Sequence, residues 1–260
     1  MKKTNISIVG SGNVATHLAL ALHAAGHTIR QVLSRQYDHA ALLARRVGAT
    51  PIVGAARLDD KADVYLLATG DDALYDLALD LPSLADKIFL HTSGSTPTDV
   101  LKRLSRHYGV VWSPQTFVRD IAMDYSRLPL CIEGNTPATE ARIEELFSSV
   151  SNNIYHLNFE QRRWAHLSAV FVSNFGNAIN ALAQEIAFNH GIEFSMLRTL
   201  AESTLKKMDY GSLWPQQTGP AARHDQKTID AQRRLLADDP RLLQLYDLMT
   251  DLIQSHDEPC

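Results

Sequence analysis

Residues 6–15 read ISIVGSGNVA, and this stretch decides the fold of the chain. Its apolar start predicts a β-strand, and its two glycines predict a tight turn into an Ala- and Leu-rich helix that ends near Gly26. Gly10 would make the turn, Gly12 would let a ligand approach the backbone, and Ala15 would let helix and strand pack closely. A strand, glycine turn and helix in this order suit a dinucleotide pyrophosphate, with a plain strand–turn–helix unit as the alternative.

Composition limits the classes of protein that the chain can belong to. Of its 260 residues, 45% are hydrophobic and 21% are charged, which is typical of a soluble globular protein with two domains. The formal net charge of -4 gives no basic surface for nucleic acid, and no apolar run is long enough to cross a membrane. Polar residues follow Met1 to Lys3 where a signal peptide would have its apolar core, so we expect a cytoplasmic protein. Cys131 and Cys260 have neither disulfide nor metal-ligand spacing, and both are expected to be reduced thiols with no metal bound.

The second predicted strand, residues 28–33, ends in Ser34 and Arg35. An acidic residue here would bind the ribose 2′-hydroxyl of NAD, whereas a hydroxyl and a guanidinium suit the 2′-phosphate of NADP. The sequence therefore favours NADP, with NAD still possible and a solvated polar turn as the alternative. The other predicted cofactor contacts are Gly10, Ser11, Gly12, Asn13, Val14, Ala68 and Thr69.

Strands and helices alternate through the first half of the chain. Further strands are predicted at residues 63–69, 87–90, 110–112, 128–134 and 153–157. Asp71 and Asp72 are expected to cap a helix that starts at Ala73, with a metal-binding pair as the alternative. This order predicts an α/β domain, Rossmann-like and doubly wound around a mainly parallel sheet, over residues 1–157.

Polar residues follow the predicted strand at residues 87–90. His91 and Ser93 come at its carboxyl end, and ligands of doubly wound sheets bind outside the carboxyl ends of the strands. An imidazole that titrates near neutral pH could move a proton, and a serine hydroxyl could donate to a carbonyl or carboxylate. Alternatively, residues 93–98 form a helix cap with one locally hydrogen-bonded histidine.

Helical periodicity replaces the strand pattern over residues 158–260, which predicts an all-α domain. Asn158 and Gln161 resemble a capping box for a long helix that runs to about Asn189. Apolar residues lie around much of this helix, as expected for a central helix packed on several sides or across a dimer interface. Asn174 would line a substrate cleft or bond to a neighbouring helix, and His166 lies about 12 Å from it along the axis, so the two cannot touch one reacting atom.

A polar loop precedes the predicted helix at residues 226–237. Arg223 could hold an anionic substrate or the cofactor phosphate, and the neighbouring His224 adds an imidazole. Asp225 is either part of this site or the cap of the helix that follows.

Five motifs together resemble those of the Rossmann-like and DUF2520 domain-containing family, over nearly the whole chain. They are Gly10-x-Gly12-x-x-Ala15, His91-x-Ser93-Gly94, residues 114–117, Ser173-Asn174 and residues 218–225. The family is similar in plan to pyrroline-5-carboxylate reductases, to coenzyme F420-dependent NADP oxidoreductases and to the 6-phosphogluconate dehydrogenase group. The resemblance implies a helical dimerisation domain like that of 6-phosphogluconate dehydrogenase and a homodimer, and some relatives are regarded as ketopantoate reductases.

Two departures from these families bear on the acid/base. The hydroxyacid dehydrogenases of the group carry a lysine four residues before the helix asparagine, where this chain has Val170. Many family members also have histidine at the position of Ser113 and glycine at the position of His224. The acid/base is therefore left open between His91, His224 and His166.

These observations predict an NADP-preferring reductase or dehydrogenase that transfers hydride to or from a small carbonyl or imine compound in a cleft between the domains. His91 or Ser93 would polarise the reacting group, Asn174 would position it, and Arg223 would pair with a substrate carboxylate. We expect a small-molecule substrate and neither nucleic acid nor membrane as partner. The rival interpretations are a non-catalytic NADP-binding sensor or scaffold and an oxidoreductase linked to F420.

Overall fold

The computed structural model describes residues 3–256, so Met1, Lys2 and Cys260 lie outside the described residues. Its contacts divide the chain into two units, residues 1–180 and residues 181–260. No helix within residues 3–256 combines the length and the apolar character that a membrane span needs.

An eight-stranded sheet forms the centre of the first unit. Its strands are β1 (Asn5–Val9), β2 (Thr28–Leu33), β3 (Thr50–Ile52), β4 (Val64–Leu67), β5 (Ile88–His91), β6 (His107–Trp112), β7 (Leu130–Gly134) and β8 (Ile154–His156). They lie in the order β3-β2-β1-β4-β5-β6-β7-β8. The first six strands are parallel, β7 is antiparallel to β6, and β8 is parallel to β7. The predicted Rossmann-like, mainly parallel sheet is confirmed.

The central strands β4 and β5 are buried on both faces, as their apolar runs predict. Val64 and Leu66 of β4 join one apolar cluster, while Tyr65 and Leu67 join another. Alternate residues of a strand point to opposite faces, so each face of the sheet has its own core. Cys131 of β7 is a buried free thiol, and burial raises its pKa to about 11.

Helices follow most of the strands and then occupy the remainder of the chain. They are α1 (Asn13–Ala24), α2 (Tyr37–Val47), α3 (Asp71–Asp80), α4 (Pro137–Phe147), α5 (Phe159–Ala169), α6 (Gly176–Asn189), α7 (Arg198–Lys206), α8 (Gln226–Leu235) and α9 (Pro240–His256). A π-helical segment, Val170–Phe175, joins α5 to α6. The predicted capping box is confirmed, since the side chains of Asn158 and Gln161 each accept a hydrogen bond from the other's backbone N–H.

The start of α3 differs from the prediction. The helix begins at Asp71 with Gly70 as its N-cap residue, so the prediction that Asp71 and Asp72 cap a helix starting at Ala73 is wrong. Both carboxylates lie in the first turn, where the helix dipole still favours them. Asp71 accepts a hydrogen bond from the Ser95 hydroxyl. Within residues 3–256, no group of three or more His, Cys, Asp or Glu side chains is placed to hold a metal ion.

The contact boundary between the units falls inside α6, whereas the predicted boundary at residues 157 and 158 marks the end of the sheet. The difference arises because α5 packs on the sheet edge through Arg162, whose side chain is only 1% exposed. Its guanidinium pairs with Glu133 of β7 and donates to the Thr96 carbonyl at 2.7 Å. The first helix after the sheet is therefore held by the sheet.

Candidate functional site

The turn between β1 and α1 requires a glycine at its first position. Gly10 has a φ of 122°, and its N–H donates to the Leu33 carbonyl at 2.8 Å. A Cβ on Gly10 would lie 2.8 Å from the carbonyl carbon of Ala68 and closer still to its oxygen. The predicted role of Gly10 in making the turn is confirmed, and Ala68 is the residue that the turn packs against.

The start of α1 is open and has no side-chain cap. Its N-cap is Gly12, which makes no side-chain capping bond, whereas side chains cap α4, α5 and α8. The first N–H groups of a helix have no intrahelical acceptor and carry partial positive charge. A Cβ on Gly12 would meet no atom within 4 Å, so the protein leaves this approach free. Ala15 is fully buried against the sheet, as predicted.

The end of β2 lies beside the glycine turn. The hydroxyls of Ser11 and Ser34 are 2.9 Å apart, and the Arg35 side chain next to them is exposed. The structure therefore brings the predicted pyrophosphate turn and the predicted 2′-phosphate residues together. An oxygen-rich ligand could contact both at once.

A segment that follows β6 crosses the start of α1. We call residues 117–119 the turn strap. Asn13 donates from Nδ2 to the Phe117 carbonyl at 2.9 Å, and His17 Nε2 bonds to the Val118 carbonyl at 2.8 Å. The Asn13 amide nitrogen is thus bonded to the turn strap, while its backbone N–H lies at the open start of α1.

Arg119 of the turn strap is a site residue that the sequence analysis missed. Its Nη2 donates to the Ser11 carbonyl at 3.0 Å, while its buried Nε has no partner within residues 3–256. A small cavity beside it is lined by Ser11, Thr16, His39, Leu42, Leu43, Arg46 and Arg119. No local motif marks Arg119, because it reaches the turn from 108 positions along the chain.

His91, at the end of β5, is fully buried. Its Nδ1 accepts a hydrogen bond from the Ser93 N–H at 3.1 Å, so the neutral ring carries its hydrogen on Nε2. Burial lowers the pKa of His91 to about 3, with the nearby Arg162 acting in the same direction. The prediction that His91 titrates near neutral pH is therefore wrong, because this imidazole is buried and has no access to water.

Ser93 holds the turn after β5. Its hydroxyl donates to Thr96 Oγ1 at 2.9 Å and accepts from the N–H groups of Ser95 and Thr96 at 3.1 and 3.0 Å. The side chain is buried, and these bonds occupy its hydrogen. Ser93 thus shapes the edge of the site through the turn that it stabilises.

His166 of α5 lies over the same edge. Its ring is 5.6 Å from that of Trp112 in an edge-on arrangement of 66°. A Cβ on Gly94 would lie 3.2 Å from Cγ of His166, so the absence of a side chain at Gly94 makes room for the imidazole. The half-buried His166 therefore lies beside the carboxyl ends of β5 and β6.

Asn174 lies in the π-helical segment and is exposed. The preceding residue, Ser173, has its hydroxyl 3.3 Å from Thr116 Oγ1, in the loop that follows β6. π-Helical turns often occur at functional sites, because the extra residue redirects the side chains around it. The structure thus brings the helix of Asn174 next to the loop that carries the turn strap.

Arg223 and His224 lie in the second unit, in an exposed turn before α8. Asp225 caps this helix by accepting from the Thr228 N–H at 3.1 Å and hydroxyl at 2.7 Å, which confirms the capping interpretation. His224 has a φ of 52°, a left-handed conformation that glycine adopts without strain. Arg223 and His224 belong to the second unit, and their site roles stay predictions.

Four buried polar atoms lack hydrogen-bond partners at one edge of the sheet, within residues 3–256. They are Thr69 Oγ1, His91 Nε2, Ser113 Oγ and Arg119 Nε. Their residues follow or end β4, β5 and β6. Buried polar atoms in proteins are normally hydrogen-bonded, so a cluster of unpartnered ones at the ligand edge of a doubly wound sheet fits a bound polar cofactor and substrate.

Two family models match the chain. Residues 128–253 match a domain of unknown function, DUF2520, and residues 5–93 match the coenzyme F420-dependent NADP oxidoreductases. Comparison with the curated proteins found no match.

Solved structures resemble the chain over nearly its whole length. A putative NADP oxidoreductase from Bacteroides fragilis is 33% identical with a TM-score of 0.86, covering 97% of this chain and 98% of that chain. A protein from Thermotoga maritima is 21% identical with a TM-score of 0.75, covering 96% and 97%. A reductive aminase from Aspergillus terreus, in complex with NADPH and ethyl levulinate, is 19% identical with a TM-score of 0.71, covering 98% and 93%. The last two similarities show a shared fold.

Proposed function

We infer that the protein transfers hydride between NADP and a small carbonyl or imine compound. The premise is its family, since the chain belongs to the proteins that join an NADP oxidoreductase domain of the F420-dependent type to a DUF2520 domain. The observation that carries this inference is the edge where Gly10 and Gly12 leave an open turn beside four unpartnered buried polar atoms. A reductase needs a held dinucleotide and a polar pocket next to it. This edge supplies groups for both.

The residues around the glycine turn fit the cofactor. The free N–H groups at the start of α1 would hold the pyrophosphate, and Ser34 with Arg35 would hold the 2′-phosphate. A phosphate oxygen near the turn strap would also satisfy the buried Nε of Arg119. NADPH, when bound, supplies the hydride.

The substrate-side roles are proposals that rest on placement. Neutral His91 would polarise the reacting group as a hydrogen-bond donor from Nε2, within a turn that Ser93 stabilises. Asn174 would position the substrate from the π-helical segment. Arg223 would pair with a substrate carboxylate, with the neighbouring His224 as a further polar contact.

A substrate panel tests this function. Oxidation of NADPH is followed by its absorbance with 2-keto acids, including ketopantoate, with cyclic imines, and with mixtures of ketones and amines. We expect turnover of at least one carbonyl or imine class, and we include the imines because one structural neighbour is a reductive aminase. Reduction of F420 by NADPH is measured separately. If NADPH binds tightly and nothing in the panel is reduced, the chain is a sensor or scaffold, an interpretation that Val170 already motivates.

Arg35 provides a test of cofactor choice. Arg35→Ala is expected to weaken NADPH binding about 10- to 100-fold, because a charged hydrogen bond to the 2′-phosphate is lost, and to leave NADH binding unchanged. Dissociation constants for both dinucleotides are measured by fluorescence titration. Arg45→Ala is the matched control, since Arg45 is an exposed arginine of α2 outside the cavity of Arg119. Equal losses for NADPH and NADH would remove Arg35 from the 2′-phosphate site.

We also propose a homodimer through the helical part of the chain. Three phenylalanines along the π-helical segment and α6 are largely exposed, Phe171 at 61%, Phe175 at 50% and Phe188 at 82%. Extended apolar surface of this kind marks an interface, and a second copy of the chain is the occupant that we propose. Light scattering of the purified protein is expected to give twice the chain mass, and a monomer mass at all concentrations would contradict this.

A further inference from the structure

One imidazole lies at the candidate site and takes part in none of the roles described above. We propose that His166 is the proton donor for the reduced group, and the acceptor of that proton in the reverse reaction. The proposal rests on the proposed function, because a proton is needed only where hydride is transferred. It names the acid/base that the sequence left open between three histidines.

The imidazole of His166 lies where the reacting end of a dinucleotide would lie. In a doubly wound fold the reacting end of the dinucleotide lies outside the carboxyl ends of the strands. The ring of His166 lies there, with its centroid 5.6 Å from Trp112 at the end of β6 and its Cγ next to Gly94 after β5. Because Gly94 has no side chain, the imidazole can lie close to the backbone of the turn that follows His91.

The helix α5 is anchored where it carries His166. Arg162 precedes His166 by four residues, so the two side chains lie on one face of the helix. Arg162 is 1% exposed and is bonded to Glu133 and to the Thr96 carbonyl. This anchor fixes the imidazole over the sheet edge. The next residue on the same face, Val170, has no proton to give.

The other candidate acids of the first unit are either neutral or already hydrogen-bonded. His91 stays neutral because burial lowers its pKa to about 3, so it can donate a hydrogen bond but has no spare proton. The Ser93 hydroxyl is bonded within its own turn, and the Ser173 hydroxyl is paired with that of Thr116. His166 is half-buried and has no hydrogen-bond partner within residues 3–256, so water can reach it and restore its proton after each turnover.

The charged groups around His166 lie on its own helix and on β7. Gly94 and Trp112, which pack against the ring from the β5 and β6 ends, are uncharged. On its own helix the facing cation is Arg162, which pairs with the Glu133 carboxylate.

The proton balance of the step is complete. Hydride adds to the carbon of a C=O or neutral C=N bond, and the bonding pair of that double bond moves to the heteroatom. The heteroatom takes the proton from the His166 imidazolium, whose N–H bond breaks. NADPH is oxidised by two electrons, the substrate is reduced by two, and the neutral ring takes a proton from water.

The kinetic test uses His166→Gln in the full-length protein, with His23→Gln as control, because His23 is an exposed histidine of α1 away from this edge. We expect kcat for the best panel substrate to fall about 100-fold or more while the dissociation constant of NADPH is unchanged. The limb of the kcat–pH profile that reports the acid should disappear, and added imidazole should partly restore the activity of His166→Ala. An active wild type whose rate and pH profile survive His166→Gln overturns the proposal.

A second readout does not depend on turnover. Histidine-selective nitrogen-15 NMR spectra identify the His166 imidazole as the signal that His166→Gln removes. We expect this signal to shift when NADP⁺ is added. A signal that NADP⁺ leaves unchanged overturns the proposal. If the wild type reduces nothing in the panel, the proposed function fails, and this spectrum still decides whether His166 faces the cofactor.

Discussion

Gly10→Ala is expected to abolish measurable NADPH binding and to destabilise the first unit by roughly 3 kcal/mol or more. The φ of 122° at this position costs an alanine conformational energy that glycine does not pay. The added Cβ would also press on the backbone of Ala68, 2.8 Å from its carbonyl carbon. The turn can relieve this contact only by moving away from β4, and the start of α1 would move with it. Urea unfolding and NADPH titration of the same preparation measure the two effects.

Gly12→Ala is the matched control for this variant. Gly12 has a φ of −75°, and its added Cβ would meet no protein atom within 4 Å. We therefore expect its free energy of unfolding to stay within about 0.5 kcal/mol of wild type, while NADPH binding weakens because the Cβ occupies the approach to the helix start. Unchanged unfolding in Gly10→Ala would contradict the strain inferred at this turn, and unchanged NADPH affinity in Gly12→Ala would show that the cofactor lies elsewhere.

Arg162→Met is expected to cost about 3–5 kcal/mol of folding free energy, the loss typical of breaking a buried ion pair. The variant removes the charge that faces Glu133 and the donor that faces the Thr96 carbonyl, and both partners stay behind without a replacement. Because this side chain attaches α5 to the sheet edge, we expect the variant to lose the placement of the substrate-side residues as well as stability. Chemical denaturation followed by circular dichroism gives the free energy of unfolding.

Arg163→Met provides the comparison for Arg162. The two arginines are neighbours on α5, but Arg163 is 56% exposed and pairs with Glu160 three residues earlier on the helix. Exposed pairs of this kind contribute little, so we expect a change below about 0.5 kcal/mol. A similar loss in both variants would mean that the helix, rather than the buried pair, determines the effect. Adding Glu133→Gln to Arg162→Met should recover part of the loss, since it removes the uncompensated charge.

The sequence predicted well those features that depend on neighbouring residues. The glycine turn at Gly10, the capping box of Asn158 with Gln161 and the buried strands all follow from short-range patterns of conformation and hydrophobicity. The structure contains each of them. Local sequence also marked the edge at which ligands bind, because the order of strands and helices determines where the carboxyl ends of the strands meet.

Contacts between residues far apart in the chain could not be predicted from the sequence. Arg162 reads as a solvated helix residue, and only the packing of α5 against Glu133 makes it a buried anchor. Arg119 approaches Ser11 from a distant loop, with no motif around it. The neutral state of His91 is also a tertiary effect, because it arises from burial of the whole β5 strand end rather than from adjacent residues. Such features depend on which segments the fold brings together.

The loop after β6 touches both parts of the candidate site. Thr116 meets Ser173 of the π-helical segment, and three residues later Arg119 holds the Ser11 carbonyl of the glycine turn. One short stretch of backbone therefore connects the turn that we propose to hold a nucleotide with the helix that we propose to face a substrate. If binding of the first ligand orders this stretch, the second ligand binds without that free-energy cost. Such linkage is reciprocal, so each ligand would tighten the binding of the other by the same factor.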